Sequence, residues 1–264
     1  MHEQEAADNL GAFAEMFRLD DRVAIVTGAS AGLGVSLSKA MARAGAHVIV
    51  ASRRVDRLEA TAQAVRGYGR EALVQNADVA DPRQCVELVE AAMARFGRVD
   101  ILVNNAGMAS AVPATRESPD AFRAVVDVNL GGSYWMAQAC AEVMTLGSSI
   151  INISSVLGFT TAALPQAAYT ASKAGLVGLT RDLASQWGRK PGIRVNAIAP
   201  GFFETEMTES YSPEYVTDSL EPRFLLGRAG KPEELAATAV WLASPAAGYV
   251  TGQTILVDGG MSTT

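Results

Sequence analysis

The chain has 264 residues, of which 49% are hydrophobic and 19% charged, and carries a formal net charge of −6. That length suits one α/β domain, and the acidic balance argues against a nucleic-acid or anionic-membrane partner. The two histidines, His2 and His47, offer no basis for a histidine metal site or a Ser–His triad, and no metal is expected. The two cysteines, Cys85 and Cys140, sit in helix-like apolar patterns and read as free, buried thiols of a cytoplasmic protein. The first residues carry acids rather than a basic segment and an apolar core, so a signal peptide is not expected. No apolar run reaches membrane-spanning length.

Residues 1–9 are acidic and polar and are expected to be disordered. Leu10, Phe13, Met16 and Phe17 then recur at helical spacing, which predicts a short amphipathic lead-in with its apolar side against its own subunit or a neighbour. Residues 1–18 are thus an N-terminal extension, and 19–264 form one domain, with no composition break or repeat to mark a second.

Arg22 to Thr27 is a short apolar, β-branched run and predicts a buried strand. Gly28-Ala29-Ser30-Ala31-Gly32-Leu33-Gly34 follows at once, then a helix pattern through Ala44. Strand, glycine-rich turn and helix are the context in which such a motif holds a dinucleotide. Glycine permits a sharp exit from the strand, lets backbone N–H groups approach a pyrophosphate, and lets the helix pack close to the sheet. Gly28, Ser30, Gly32, Leu33 and Gly34 are therefore candidate cofactor contacts; the alternative is a glycine turn without a ligand. The second strand, Ala46 to Ala51, ends not on an acid but on Ser52-Arg53-Arg54. A guanidinium fork suits a phosphate monoester, so NADP(H) is expected over NAD(H), unless these arginines merely decorate the next helix.

A helix from Val55 to about Gly67 leads to a strand around Ala72 to Asn76, with Asp78-Val79 placed to meet an adenine. Cys85, Leu88, Val89, Ala92, Met93 and Phe96 have helix periodicity from Pro82 onward. Val99 to Val103 is the fourth strand, and Asn104-Asn105-Ala106-Gly107 leaves it with residues small enough for a ribose to approach; this is also a plausible structural turn. A long helix from about Pro119 to Met144 has Phe122, Val125, Val126 and Tyr134 on its inner stripe, and Asn129 falls there too. A buried amide left unpaired costs about 1–3 kcal/mol, so Asn129 should have a defined partner, either a core hydrogen bond or a water held for proton relay. Ser149 to Ser154 is the fifth strand, with Ser155 at its carboxyl end, where open parallel sheets bind ligands.

The helix from Gln166 to Ala184 carries Tyr169 and Lys173 four residues apart, hence on one face. A phenol ionises near pH ~10, and acid–base work near pH 7 takes roughly 4 kcal/mol of differential stabilisation. An ammonium about 6 Å away supplies roughly 3 kcal/mol of that at an effective dielectric of ~20. The plainer alternative is a packed Tyr beside a solvated Lys. Gly192 to Ala199 is the sixth strand and ends at Pro200-Gly201; a Lys231–Ala243 helix and a strand from Gln253 to Asp258 complete the chain.

Thr27-Gly28, Gly32, Gly34, Asn104 to Gly107, Asn129, Ser155, Tyr169, Lys173 and Pro200-Gly201, in that order and spacing, resemble the short-chain dehydrogenase/reductase family. The match covers roughly residues 19 to 260 and is closest to the single-domain branch of about 250 residues. The resemblance implies a Rossmann-like, doubly wound parallel sheet of seven strands with helices on both faces. It implies that Tyr169 is the catalytic acid/base and that Lys173 binds the nicotinamide ribose and assists the phenol. Ser155 would position the substrate oxygen, Asn129 would complete a water relay, and Thr205 would meet the nicotinamide carboxamide. Strand alternation should aim the neighbouring Ser154 at the opposite face. Some NADP-dependent members carry a base where this chain has Ala31, which leaves Arg53 as the main phosphate candidate. Residues 202–228 resemble the family's substrate lid, and their aromatic residues suit a moderately bulky neutral carbonyl, with the acids a solvated face.

The sequence thus points to an oxidoreductase interconverting a secondary alcohol and a ketone, acting on a small-molecule substrate and, by resemblance, assembled as a homotetramer or homodimer. Within that class, reduction of a 3-oxoacyl thioester and oxidation of a polyol, sugar acid or steroid-like alcohol stay open. A non-catalytic NADP(H)-binding sensor is the alternative from another class.

Overall fold

In the computed structural model, residues 11–209 and 211–264 are described. The first strand, β1 (Val23–Thr27), is buried along its whole length. Successive side chains of a strand point to opposite faces, so Val23 and Ile25 enter one hydrophobic cluster while Ala24 and Val26 enter another. The sheet therefore has a core on each face, and it accounts for the continuous apolar runs of β1, β5 (Ser149–Ile153) and β6 (Arg194–Pro200). The remaining strands are β2 (His47–Ser52), β3 (Ala72–Asn76), β4 (Ile101–Asn104) and β7 (Thr254–Val257). All pair parallel, in the order β3-β2-β1-β4-β5-β6-β7.

Helices α1 (Gly32–Arg43) and α2 (Val55–Arg66) send Leu37 and Leu58 into one core, as the later α7 (Pro232–Ala243) sends Leu235. On the other face, α3 (Pro82–Phe96) contributes Leu88, and α5 (Gly132–Ala141) and α6 (Ala167–Trp187) contribute Met136 and Leu183. The sequence-level stops explain α3: Asp81 accepts from Arg83 N, Pro82 opens the first turn, and Gly97 ends the helix at φ 72°. Both cysteines are free and buried, with Cys85 pushed up to about 12 and Cys140 also raised, in both cases by burial first. A buried arginine on β6, unnoticed in the sequence, finishes α7. Arg194 donates to the carbonyls of Leu242, Ala243 and Ser244 at the helix end, and Ser149 Oγ donates to Leu242 O as well.

One expectation needs correction. The predicted helix from Pro119 to Met144 is interrupted: α4 (Pro119–Val126) runs through a π turn, Asp127–Gly131, into α5. The extra residue of the π turn puts the two halves out of phase, so Asn129 is fully buried while Phe122, assigned to the inner stripe, is exposed. The lead-in is helical over residues 11–15 and docks through Ala246 N donating to Met16 O, yet Phe13, Met16 and Phe17 stay exposed. Leu10 and the expected disorder of 1–9 fall outside the described residues. Among the described residues no helix is long and apolar enough to cross a membrane.

Candidate active site

The strand order reverses beside β1: the chain steps out to β2 and β3, then returns to β4 on the other side. Loops leaving β1 and β4 at their carboxyl ends part there and open a crevice. Two side chains tie the crevice walls. Thr27 Oγ1 accepts from the N–H groups of Asn105 and Ala106, and Asn105 Nδ2 donates to the carbonyls of Thr27 and Gly28. Gly34 is where α1 meets the loop; a Cβ there would lie 2.2 Å from Gly28 O, so only glycine permits the approach. The N-terminal residue Ala31 provides no side-chain cap and the first turn holds no acid, which leaves the backbone N–H groups of α1 directed at the crevice.

A cavity of about 560 Å³ fills the crevice. Its wall includes Gly28, Ser30, Gly32, Leu33, Ser52, Arg53, Arg54, Asp78, Val79, Asn105, Ala106, Gly107 and Thr205, so most of the sequence-selected cofactor residues converge. Gly34 supports that wall by packing. A long anionic dinucleotide fits the donor set: open helix N–H groups at its middle and guanidinium groups at one end.

The two arginines have different surroundings. Arg53, the one singled out as the main phosphate candidate, points toward Asp78, 3.7 Å away. Arg54 instead reaches Ser30 Oγ at 3.3 Å, and Ser52 Oγ donates to the same Ser30 Oγ at 3.0 Å. Arg57, one helical turn beyond and not noticed in the sequence, joins it: Arg54 and Arg57 both donate to Glu206 Oε1, at 2.7 and 3.0 Å. The polar cluster at the end of β2 is therefore Ser30, Ser52, Arg54 and Arg57, with Arg53 at its side.

At the other end, Tyr169 and Lys173 share a face of α6, and Lys173 Nζ lies 5.6 Å from the Tyr169 ring centre, close to the separation expected. Lys173 is buried and donates to Ile153 O at 2.7 Å. Burial brings Lys173 down to about 8. Burial also dominates at Tyr169, pushing the phenol up to about 12, while the nearby Ser155 hydroxyl pulls the other way and Tyr211 adds to the rise. In the protein without coenzyme the depth of the pocket, which the sequence could not show, outweighs the stabilisation that the ammonium offers the phenolate. Ser155 Oγ accepts from Leu157 N at 3.1 Å, leaving its hydrogen free for the phenol. Ser154 points away, donating to Lys173 O at 2.8 Å, as strand alternation requires.

Asn129 has its partner inside the protein. Its Oδ1 accepts from Met108 N, and its Nδ2 donates to Met108 O and to Ser172 Oγ. The amide thereby pins the loop after β4 to α6. Gly107 keeps the space open, since a Cβ there would come within 3.3 Å of Asn129 Oδ1 and 3.6 Å of Lys173 Nζ.

A second cavity, of about 140 Å³, adjoins the first and has Ser155, Tyr169, Pro200 and Gly201 in its wall. Its roof is the lid. Phe202 stacks on Phe224 at 5.8 Å and on Tyr211 at 6.4 Å, and Tyr211 meets Tyr215 edge-on at 5.4 Å. The Tyr215 hydroxyl donates to Ala162 O, tying the lid to the loop before α6. Most lid acids are exposed as expected; Glu206 departs from that set through its arginine pair. Nothing local predicts that pair, because its partners are 152 and 149 residues apart.

Comparison with known proteins agrees with this architecture. The family model described as Enoyl-(Acyl carrier protein) reductase matches residues 28–262. A 3-oxoacyl-(acyl-carrier-protein) reductase of Thermotoga maritima is 38% identical, over 92% of this chain and 99% of its own length. The crystal structure of a short-chain type dehydrogenase/reductase from Mycobacterium marinum superposes with a TM-score of 0.91 at 35% identity, covering 95% of this chain and 99% of that one. A gluconate 5-dehydrogenase from Burkholderia cenocepacia, solved in complex with NADP and tartrate, superposes with a TM-score of 0.88 at 36% identity, over 96% and 99% of the two chains. With its parallel seven-stranded sheet and these relatives, the chain belongs to the short-chain dehydrogenase/reductase family of NAD(P)-binding oxidoreductases.

Proposed function

We propose that the protein interconverts a neutral, apolar-flanked ketone and its secondary alcohol, with NADP(H) favoured over NAD(H). One observation carries the proposal: the two cavities meet, sharing Leu33, Asn105, Gly107 and Thr205, and Ser155 and Tyr169 stand in the wall of the smaller one. A nicotinamide coenzyme, when bound, supplies or accepts the hydride.

The protein's own groups do the rest. Ser155 and Tyr169 hydrogen-bond the substrate oxygen and stabilise the negative charge that develops there. At pH 7 a phenol held at about 12 keeps its proton, which is the form that donates to a nascent alkoxide. Lys173, largely charged below about 8, opposes the burial penalty on the phenolate left behind. Asn129 acts as a positioning residue, holding the β4 loop and α6 in register. In the larger cavity, the N–H groups at the start of α1 would take the pyrophosphate, Asp78 and Val79 would border the adenine, and Ser30, Ser52 and Arg54, with Arg57 beside them, would take the 2′-phosphate.

The apolar preference rests on the lining of the smaller cavity, where Val156, Leu157, Leu220 and Met261 join the lid aromatics. Arg223 is committed to the carbonyls of Thr161 and Met261 and Arg228 to Glu234, so among the described lid residues no arginine is left unpaired for a carboxylate or phosphate on the substrate. A steady-state panel of a cyclic ketone, an acetoacetyl thioester, a keto acid and a keto sugar, each with NADPH and NADH, tests the proposal. The expected result is highest kcat/KM for the cyclic ketone with NADPH. Preference for the keto acid or sugar would contradict the substrate assignment, and coenzyme binding without turnover of any compound would favour a sensor.

A further inference from the structure

A helix N-terminus carries partial positive charge and disfavours cations, yet Arg53 and Arg54 precede α2 and Arg57 lies in its first turn. In the first turn of the helix only Asp56 offsets this cluster, and no hydrogen bond joins it to Arg54 or Arg57; an anion from outside does reach both. In the structure that anion is Glu206, whose single oxygen Oε1 takes both Arg54 and Arg57 and whose carboxyl is held below the usual range by those hydrogen bonds. Glu206 belongs to the lid, one residue after Thr205, whose side chain faces Gly32 of the glycine loop. The same carboxylate borders the larger cavity together with Ser30, Ser52 and Arg54.

We propose that Glu206 is this protein's coenzyme-discriminating acid: it occupies the arginine pair that a 2′-phosphate requires, so NADP(H) binds by displacing it and NAD(H) binds with it in place. The proposal rests on the dinucleotide assignment above and deepens it. A 2′-phosphate and a carboxylate cannot share two guanidinium groups without like-charge repulsion, whereas a ribose 2′-hydroxyl can donate to a carboxylate. The acid that the sequence lacks at the end of β2 is thus brought to the same place by a segment 152 residues away. Because binding linkage is reciprocal, a ligand that displaces Glu206 also releases the start of the lid. Coenzyme choice and lid position become one equilibrium.

Two half-ligands isolate the effect from turnover: adenosine 2′,5′-bisphosphate, which carries the extra phosphate, and adenosine 5′-monophosphate, which does not. Calorimetric titration of the full-length wild type and Glu206→Gln with each gives four dissociation constants. Removing one half-exposed charge should tighten 2′,5′-bisphosphate binding about tenfold and leave the monophosphate within about twofold or weaker. In the wild type, saturating bisphosphate should also speed amide hydrogen exchange over residues 202–209, and the monophosphate should not. Equal bisphosphate affinities in the two proteins, with both nucleotides bound, would overturn this proposal alone. So would an equal gain for both nucleotides. If neither nucleotide binds either protein, the dinucleotide assignment falls and this proposal falls with it.

Discussion

The crevice at the β1 and β4 ends and the lid at 202–228 face the same reacting centre but are built differently. The crevice is made from backbone: strand ends in register, a glycine whose Cβ would strike a carbonyl, and loops tied by Thr27 and Asn105. The lid is made from side chains: a stack of Phe202, Phe224, Tyr211 and Tyr215 over short helical turns, pinned by a tyrosine hydroxyl. Backbone geometry fixes what every substrate needs, a coenzyme at a set place. Side-chain packing sets which substrate fits, and can change residue by residue without moving the sheet.

That contrast can be tested from its strongest consequence downward. Lys173 lies on the rigid side, and Lys173→Met should lower kcat/KM by about 10³. The wild-type rate of carbonyl reduction should also depend on this group's charge, which is present below about 8 and lost as pH rises through it. Reduction should therefore fall above that pH in the wild type, and the break should be missing from the variant. A break that persists in Lys173→Met would assign it to another group.

Next in size is the glycine contact. Gly34→Ala puts a methyl 2.2 Å from Gly28 O and should cost about 3 kcal/mol of stability, read as a lower Tm, with weaker coenzyme binding in whatever remains folded. An unchanged Tm would mean that the loop and helix can separate freely, contrary to a rigid crevice. The smallest effect belongs to the lid. Phe202→Ala removes the ring at the centre of the stack and should raise KM for an apolar ketone about tenfold, with a much smaller change in the coenzyme Kd, which reaches the lid only through Thr205 and Glu206. A parallel loss of coenzyme affinity would erase the division between the two regions.

The same division explains what could be read from the chain beforehand. Gly28 to Gly34, the Tyr169–Lys173 spacing and the Ser154/Ser155 alternation are local patterns, and local backbone periodicity carries them into space. The apolar runs gave the strands for the same reason. Asn129 was legible as a buried amide, but its partners were not, because a π turn shifted the helix phase and Met108 arrives from another loop. Glu206 looked like one acid among several, since its meaning depends on arginines at the far end of the sequence distance. The neighbour of the Tyr169 phenol was legible and its burial was not: charge spacing can be counted along a helix, whereas desolvation depends on everything that packs around it.

The central claim is that Tyr169 transfers the proton while the backbone crevice holds the coenzyme independently of it. Tyr169→Phe removes one oxygen and keeps the ring, so kcat with the preferred ketone and NADPH can be set beside the NADPH Kd from fluorescence titration. The account predicts a kcat lower by about 10³ or more and a Kd within about twofold of the wild type. A wild-type kcat in this variant, or a Kd that rises in step with the lost turnover, would contradict it.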